Sequence, residues 1–156
     1  MLHEQIMTPL MFLESYDRLA PLTDEQWWSI QARLPEHAAG PQGGRPRLDD
    51  RHCFEGLLWI LWTGAAWNQL PARFGSGTTC WRRFQEWQAQ GVVLEAWRAY
   101  IAQLDGLGRR HWLGRLAERK LSGHGMALRR RSGWLRLVAQ QFHRELENQA
   151  AAESSP

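Results

Sequence analysis

Asp49-Asp50-Arg51-His52-Cys53-Phe54-Glu55-Gly56-Leu57-Leu58-Trp59-Ile60-Leu61-Trp62-Thr63-Gly64 is the stretch whose reading decides the fold. Phe54, Leu57, Leu58, Ile60, Leu61 and Trp62 are apolar nearly all round a helical wheel, as a helix at the centre of a bundle requires. Asp49 or Asp50 supplies the N-cap, accepting from amides of the first turn. Gly64 supplies the stop, because glycine adopts the left-handed conformation of a helix C-cap. The apolar run Leu57 to Trp62 is far too short to cross a bilayer. A central helix needs neighbours, and the flanks decide what they are.

Working outward, the flanks read as helix and almost never as strand. On the N-terminal side, Thr23 with Gln26 three residues on forms a capping box over Leu22, predicting a helix to about Leu34, where Pro35 follows. Its apolar face is Trp27, Ile30 and Leu34. Further upstream, Ile6, Leu10, Phe12, Leu13 and Tyr16 keep a loose helical spacing interrupted at Pro9, giving a helical leader over residues 1–21. Between these helices and the central one, Pro35 to Leu48 is rich in glycine and proline and carries Arg45 and Arg47, so it reads as a loop or basic arm. On the C-terminal side the chain turns through Trp67, Leu70, Pro71 and Phe74. Thr78 or Thr79 then caps a helix to about Gln90, with Trp81, Phe84 and Trp87 on one side. Gly91 closes it, and Val92 to Leu104 follows with Leu94, Trp97, Ile101 and Leu104 inward. Two further helical patterns, His111 to Leu121 and Trp134 to Ala150, flank Ser122-Gly123-His124-Gly125 and the run Arg129-Arg130-Arg131. The tail 150–156 is expected to be disordered. The fold class is therefore all-α, a small helical bundle divided as leader 1–21, helical domain 22–105, C-terminal extension 106–149 and tail.

Composition bounds the function. The chain has 156 residues, 44% hydrophobic with ten tryptophans, enough for one core. Nineteen Lys and Arg stand against 16 Asp and Glu, a net charge of +3 that suits a polyanionic partner without demanding one. Cys53 and Cys80 are the only cysteines, in no Cys-x-x-Cys spacing. They read as reduced intracellular thiols, with no disulfide framework or zinc site implied. No apolar stretch addresses the chain to a membrane, and a cytoplasmic, nucleoid-associated location is expected.

The central helix, the turn held by Trp67 and the capped helix after it form a helix-turn-helix-like unit, in which a second helix can enter the major groove. Thr78 and Thr79 stand at its positive end, suited to a phosphate, and Arg82 and Arg83 follow, with Arg83 the stronger candidate for a base edge or phosphate. The same arginines also fit a solvated face or an i, i+4 pairing of Arg82 with Glu86. Gly44-Arg45-Pro46-Arg47 fits an arm in a narrow minor groove, or a solvated loop. Arg129 to Arg131 fits a phosphate backbone or a solvated turn. Trp59 with Trp62, and Trp81 with Trp87, could stack bases, but their helical spacing and apolar neighbours favour the core. His37, His52, His111, His124 and His143 are scattered singly, and His52 beside Cys53 points another way on a helix, so no metal ligand set or activated nucleophile is read. No cofactor is implied.

The order and spacing of Leu22-Thr23-Asp24-Glu25-Gln26-Trp27, Leu34-Pro35, Gly44-Arg45-Pro46, Asp50-Arg51, Leu58 with Leu61, Thr63-Gly64, Trp67, Leu70-Pro71, Phe74, Thr78, Arg83-Phe84, Trp87 and Gly91 resemble the N-terminal domain of insertion sequence 5 type transposases, within the insertion sequence 4 superfamily. About half the chain is covered. The resemblance implies an all-helical domain that recognises terminal inverted repeats, followed in that family by an RNase H-like domain whose Asp, Asp and Glu bind two divalent metals. Taken with the helix and arm read above, the expected DNA contacts are Arg45, Arg47, Arg51, Thr78, Thr79, Arg82 and Arg83. There are departures: Trp62 and Asn68 stand where the family often has arginine, and Glu55 where a small or amide residue is frequent. Two-metal phosphoryl transfer needs carboxylates converging from a folded sheet, and neither Glu118 nor Asp105 sits in such a context. The expectation is a non-catalytic protein that binds double-stranded DNA, truncated, first-frame or domesticated. Its expected protein partner is a second copy or a catalytic transposase subunit. The alternatives are an interaction or dimerisation module and an inactive remnant.

Overall fold

The structure, a computed structural model, describes residues 19–36, 48–121 and 126–154, with the backbone alone for 126–132. The leader before Leu19, Arg45 and Arg47, the segment 122–125 and the side chains of Arg129 to Arg131 lie outside those residues. Six helices are described: α1 Asp24–Gln31, α2 Asp50–Thr63, α3 Gly77–Ala89, α4 Val93–Ala102, α5 Gly106–Leu121 and α6 Met126–Ser154. Two 3-10 turns, Trp67–Gln69 and Ala72–Phe74, lie between α2 and α3. No strand occurs among the described residues, and the all-α class read from the sequence is what the chain adopts. None of these helices is long and apolar enough to cross a membrane.

Local chemistry sets most helix ends. Thr23 and Gln26 form the reciprocal capping box, the Thr23 side chain accepting from Gln26 N at 3.1 Å and Gln26 Oε1 accepting from Thr23 N at 2.9 Å. Asp49 is the cap of α2, accepting from Arg51 N at 3.1 Å, and Gly64 ends that helix at φ 73°. The Arg119 guanidinium of α5 fills the space that a side chain on Gly64 would need, and its Nη2 donates to the Trp62 carbonyl at 3.4 Å.

Four boundaries differ from expectation. Helix α1 stops at Gln31, and a turn carries the chain to the buried Leu34. Helix α3 is capped by Ser76, accepting from Thr79 N at 3.4 Å, so Thr78 and Thr79 lie inside the first turn. Helix α5 starts at Gly106 and not at His111, because the Asp105 carboxylate accepts from Gly108 N at 2.7 Å and offsets the weak helix propensity of Gly106 and Gly108. The tail expected to be disordered is helical to Ser154, where Glu153 pairs with Arg109 of α5.

One buried cluster runs from Leu22 through α2, α3, α4 and α5 to Leu146 in α6, across the boundary expected near residue 105. Its axis is aromatic. Trp97 of α4 stacks on Phe142 of α6 at 4.3 Å with planes 12° apart, and its Nε1 donates to the Phe142 carbonyl at 3.1 Å. Trp112 of α5 meets Trp62 edge-on at 4.9 Å and Trp97 edge-on at 5.2 Å. A second aromatic group joins Trp67, Trp81 and Phe84 to Trp134 of α6, whose ring lies 5.1 Å from both Trp81 and Phe84. Aromatic pairs of this kind add about 0.5–1.5 kcal/mol each beyond the area they bury. Helices α5 and α6 are thus sealed into the same core as α2 and α4.

Candidate nucleic-acid interface

Helices α2 and α3 pack directly on each other, but residues 64–76 join them through the two 3-10 turns, where a helix-turn-helix unit uses three or four residues. Two glycines permit that connector. Gly75 has φ 94° and lies under the Leu48 side chain, while a side chain on Gly77 would overlap the Trp67 carbonyl. The tight turn lies one helix later, where Gly91 at φ 71° connects α3 to α4.

At the N-terminal end of α3, Ser76 satisfies one first-turn amide, and Thr78 is exposed while Thr79 is half-buried. Arg82 is exposed on the next turn, and among the described residues no ion pair joins it to Glu86. Thr79, Arg82, Arg83 and Glu86 line an open depression on this face. A helix N-terminus carries positive partial charge, and a neighbouring guanidinium adds to the same field.

Arg83 is placed differently from its neighbour. It is only 6% exposed. Its Nη1 donates to the Leu48 carbonyl, to Asp50 Oδ1 at 3.0 Å and to Cys53 Sγ at 3.5 Å. Beyond Cys53, Cys80 Sγ donates to the Phe74 carbonyl at 3.4 Å. The Cys80 thiol, with burial behind it, pushes the Cys53 thiol up, so it stays protonated. Both cysteines are free and buried. Arg51 is also turned inward, donating through Nη1 to Asp24 at 2.8 Å, through Nη2 to the Leu22 carbonyl at 2.7 Å and through Nε to Glu55 at 3.3 Å. It fastens α1 to α2.

Of the residues read as DNA contacts, the structure brings Thr78, Thr79 and Arg82 together on α3 and holds Arg51 and Arg83 in intramolecular bonds. Arg45 and Arg47 lie outside the described residues. The Leu48 side chain packs over Gly75 just before α3, and its carbonyl accepts from Arg83 in the middle of that helix. Leu48 is the residue that sequence reading did not single out, and Asp50, read there as a possible N-cap, is instead the carboxylate that pairs with Arg83.

The remaining candidates resolve into structure. Trp62 and Trp87 are buried, and the Arg115 guanidinium lies over the Trp62 ring at 4.9 Å. Trp62 is therefore a core residue met by an arginine from α5. Glu118 pairs with Arg119 at 3.1 Å. His52 lies 3.9 Å from Asp49 and His143 3.3 Å from Glu147. Among the described residues no three His, Cys, Asp or Glu side chains gather as a metal set.

The class defined by this fold is an all-helical domain in which a central buried helix carries a capped helix that exposes Thr78 and Arg82. Residues 22–97 match the family described as "Putative transposase of IS4/5 family", and the resemblance read from the sequence is shown over that stretch. The insertion element IS402 uncharacterized 16.2 kDa protein of Burkholderia cepacia is 39% identical over 77 residues, which cover 46% of this chain and 52% of that protein. The uncharacterized protein y4sN of Sinorhizobium fredii is 35% identical over 74 residues, covering 47% of this chain and 58% of that protein. The chain thus spans about half the length of these curated relatives. No solved structure matches.

Proposed function

We propose that this protein binds double-stranded DNA at the ends of an insertion element, contributing recognition rather than strand cutting, with a catalytic transposase subunit as its protein partner. The carrying observation is the exposed start of α3. Arg82 is exposed beside Thr79 on a capped helix, and Leu48, which Arg47 directly precedes and Arg45 precedes by three residues, packs over Gly75 just before that helix. Thr78 and Thr79 would meet phosphate at the helix terminus, Arg82 the adjoining backbone or a base edge, and Arg45 and Arg47 the neighbouring minor groove. The likeness to an insertion-element protein supports terminal inverted repeats as the DNA.

Fluorescence anisotropy with an inverted-repeat duplex tests this. Reversing Arg45, Arg47 and Arg82 to glutamate together should weaken binding at least a hundredfold at about 50 mM salt. The parent should lose affinity steeply towards about 200 mM salt, as counterion release demands. A parent protein that binds no duplex at low salt refutes the proposal. Arg83 is left out of the reversal because a glutamate there would bury a second carboxylate beside Asp50.

A further inference from the structure

We infer that α3 reads base edges along its outward stripe, with Gln85 and Glu86 as specificity-determining residues beside Arg82. The inference rests on the DNA-binding reading and deepens it, by naming the groups that would choose one duplex sequence over another.

The stripe follows from how α3 is packed. Cys80, Arg83, Phe84 and Trp87 turn inward, and Thr78, Arg82, Gln85, Glu86 and Ala89 are left exposed on the other side. Among the described residues Arg82, Gln85 and Glu86 make no hydrogen bond or ion pair, although Arg82 and Glu86 stand at the i, i+4 spacing that permits one. Glu86 is the informative member. It lines the open depression together with Thr79, Arg82 and Arg83, yet Arg83 gives its charge to Asp50 and does not hold it. A carboxylate at a DNA surface is repelled by phosphates whatever the sequence. It becomes favourable only where a base offers a donor, and in the major groove that donor is the amino group of cytosine. Arg82 and Gln85 complete the set, a guanidinium matching the two acceptors of guanine and a carboxamide the acceptor and donor of adenine. Along the helix axis Gln85 and Glu86 lie about 4.5 and 6 Å beyond Arg82. A base-pair step is about 3.4 Å, so the three side chains address adjoining base pairs. The buried side of α3 carries the fold, and the stripe is left to the duplex.

The test starts with a randomised duplex library, from which the parent protein selects its preferred duplex. Fluorescence anisotropy then compares that duplex with a scrambled one of equal length and composition. Glu86→Ala should weaken binding to the selected duplex about fivefold, because the cytosine amino group loses its acceptor, and tighten binding to the scrambled duplex about twofold, because a repelling charge is gone. Gln85→Ala should weaken the selected duplex about tenfold and leave the scrambled one unchanged. Repeating the selection with Arg82→Ala, Gln85→Ala and Glu86→Ala should relax the preference at adjoining base pairs, a different one for each variant. All three variants should melt within about 2 °C of the parent, since no internal contact is removed. Glu86→Ala that tightens both duplexes equally overturns the inference, because the carboxylate then only repels. Gln85→Ala that leaves both affinities unchanged overturns it as well. A parent that binds duplexes without selecting any sequence refutes base reading and leaves duplex binding standing. A parent that binds no duplex at all refutes the DNA-binding reading itself, and the inference falls with it.

Discussion

Phe142→Ala asks whether the helices beyond the family-matched segment belong to its core. The Phe142 ring is 1% exposed, stacked at 4.3 Å on Trp97, and held among helices that also bury Trp112 and Leu116. Deleting it removes a full aromatic side chain from a close-packed interior, a loss of about 3–5 kcal/mol. For a chain of this size each kcal/mol lowers Tm by about 2–4 °C, so a fall of about 6–20 °C is expected. The backbone carbonyl that accepts from Trp97 survives the substitution, so the change isolates the ring. A double-mutant cycle with Trp97→Leu should return a coupling of about 0.5–1.5 kcal/mol for the stacked pair. Urea unfolding followed in parallel by far-ultraviolet circular dichroism and tryptophan fluorescence should show one transition, shifted as a whole in the variant. Two separable transitions, or a loss below about 1 kcal/mol, would mean that α5 and α6 fold apart from the rest and that the shared core is wrong.

Other expectations follow from single contacts. Ser76→Ala should cost about 1 kcal/mol in chemical denaturation, and Thr78→Ala should stay within about 0.5 kcal/mol, because Ser76 alone caps α3. Gly77→Ala should destabilise by about 1–3 kcal/mol through overlap with the Trp67 carbonyl, while Gly133→Ala, in open space on α6, should raise stability by about 0.5–1 kcal/mol; paired thermal melts compare them. Hydrogen bonds from Arg98 hold the Glu145 carboxyl below its ordinary range. A depressed folded value gives stability that is present above the unfolded carboxylate pKa and lost as pH falls through the folded one. Glu145→Gln should therefore melt lower than the parent at pH 7, and the gap should close below about pH 4.

What the sequence made legible was local. The capping box at Thr23 and Gln26, the cap at Asp49 and the stop at Gly64 each involve residues within a few positions, so residue type and spacing suffice. The start of α5 was missed because Gly106 and Gly108 read as breakers, while the carboxylate that offsets them, Asp105, reads equally well as a helix end. At α3, three hydroxyls in four residues compete for one cap, and only the path of the connector selects Ser76. The last turn of α6, Ala150 to Ser154, holds no large apolar side chain, so it reads as a tail, and the partner of its Glu153, Arg109, lies on another helix. The arginines show the same limit most sharply. Arg82 and Arg83 are adjacent and identical in type, yet one faces solvent and the other is enclosed by acceptors from 30 to 35 positions away. Nothing in the spacing of α3 distinguishes them until α2 is in place.

Gly64 and Arg119 occupy one volume. The glycine lies inside the family-matched stretch and the arginine outside it, yet a side chain at the first excludes the guanidinium of the second. A side chain at 64 would push the Arg119 guanidinium aside, at the cost of its bond to the Trp62 carbonyl, and would also strain a backbone held at φ 73°. The covering helix thus reads the end of α2 directly: the same small residue that stops one helix leaves room for another to lock onto it.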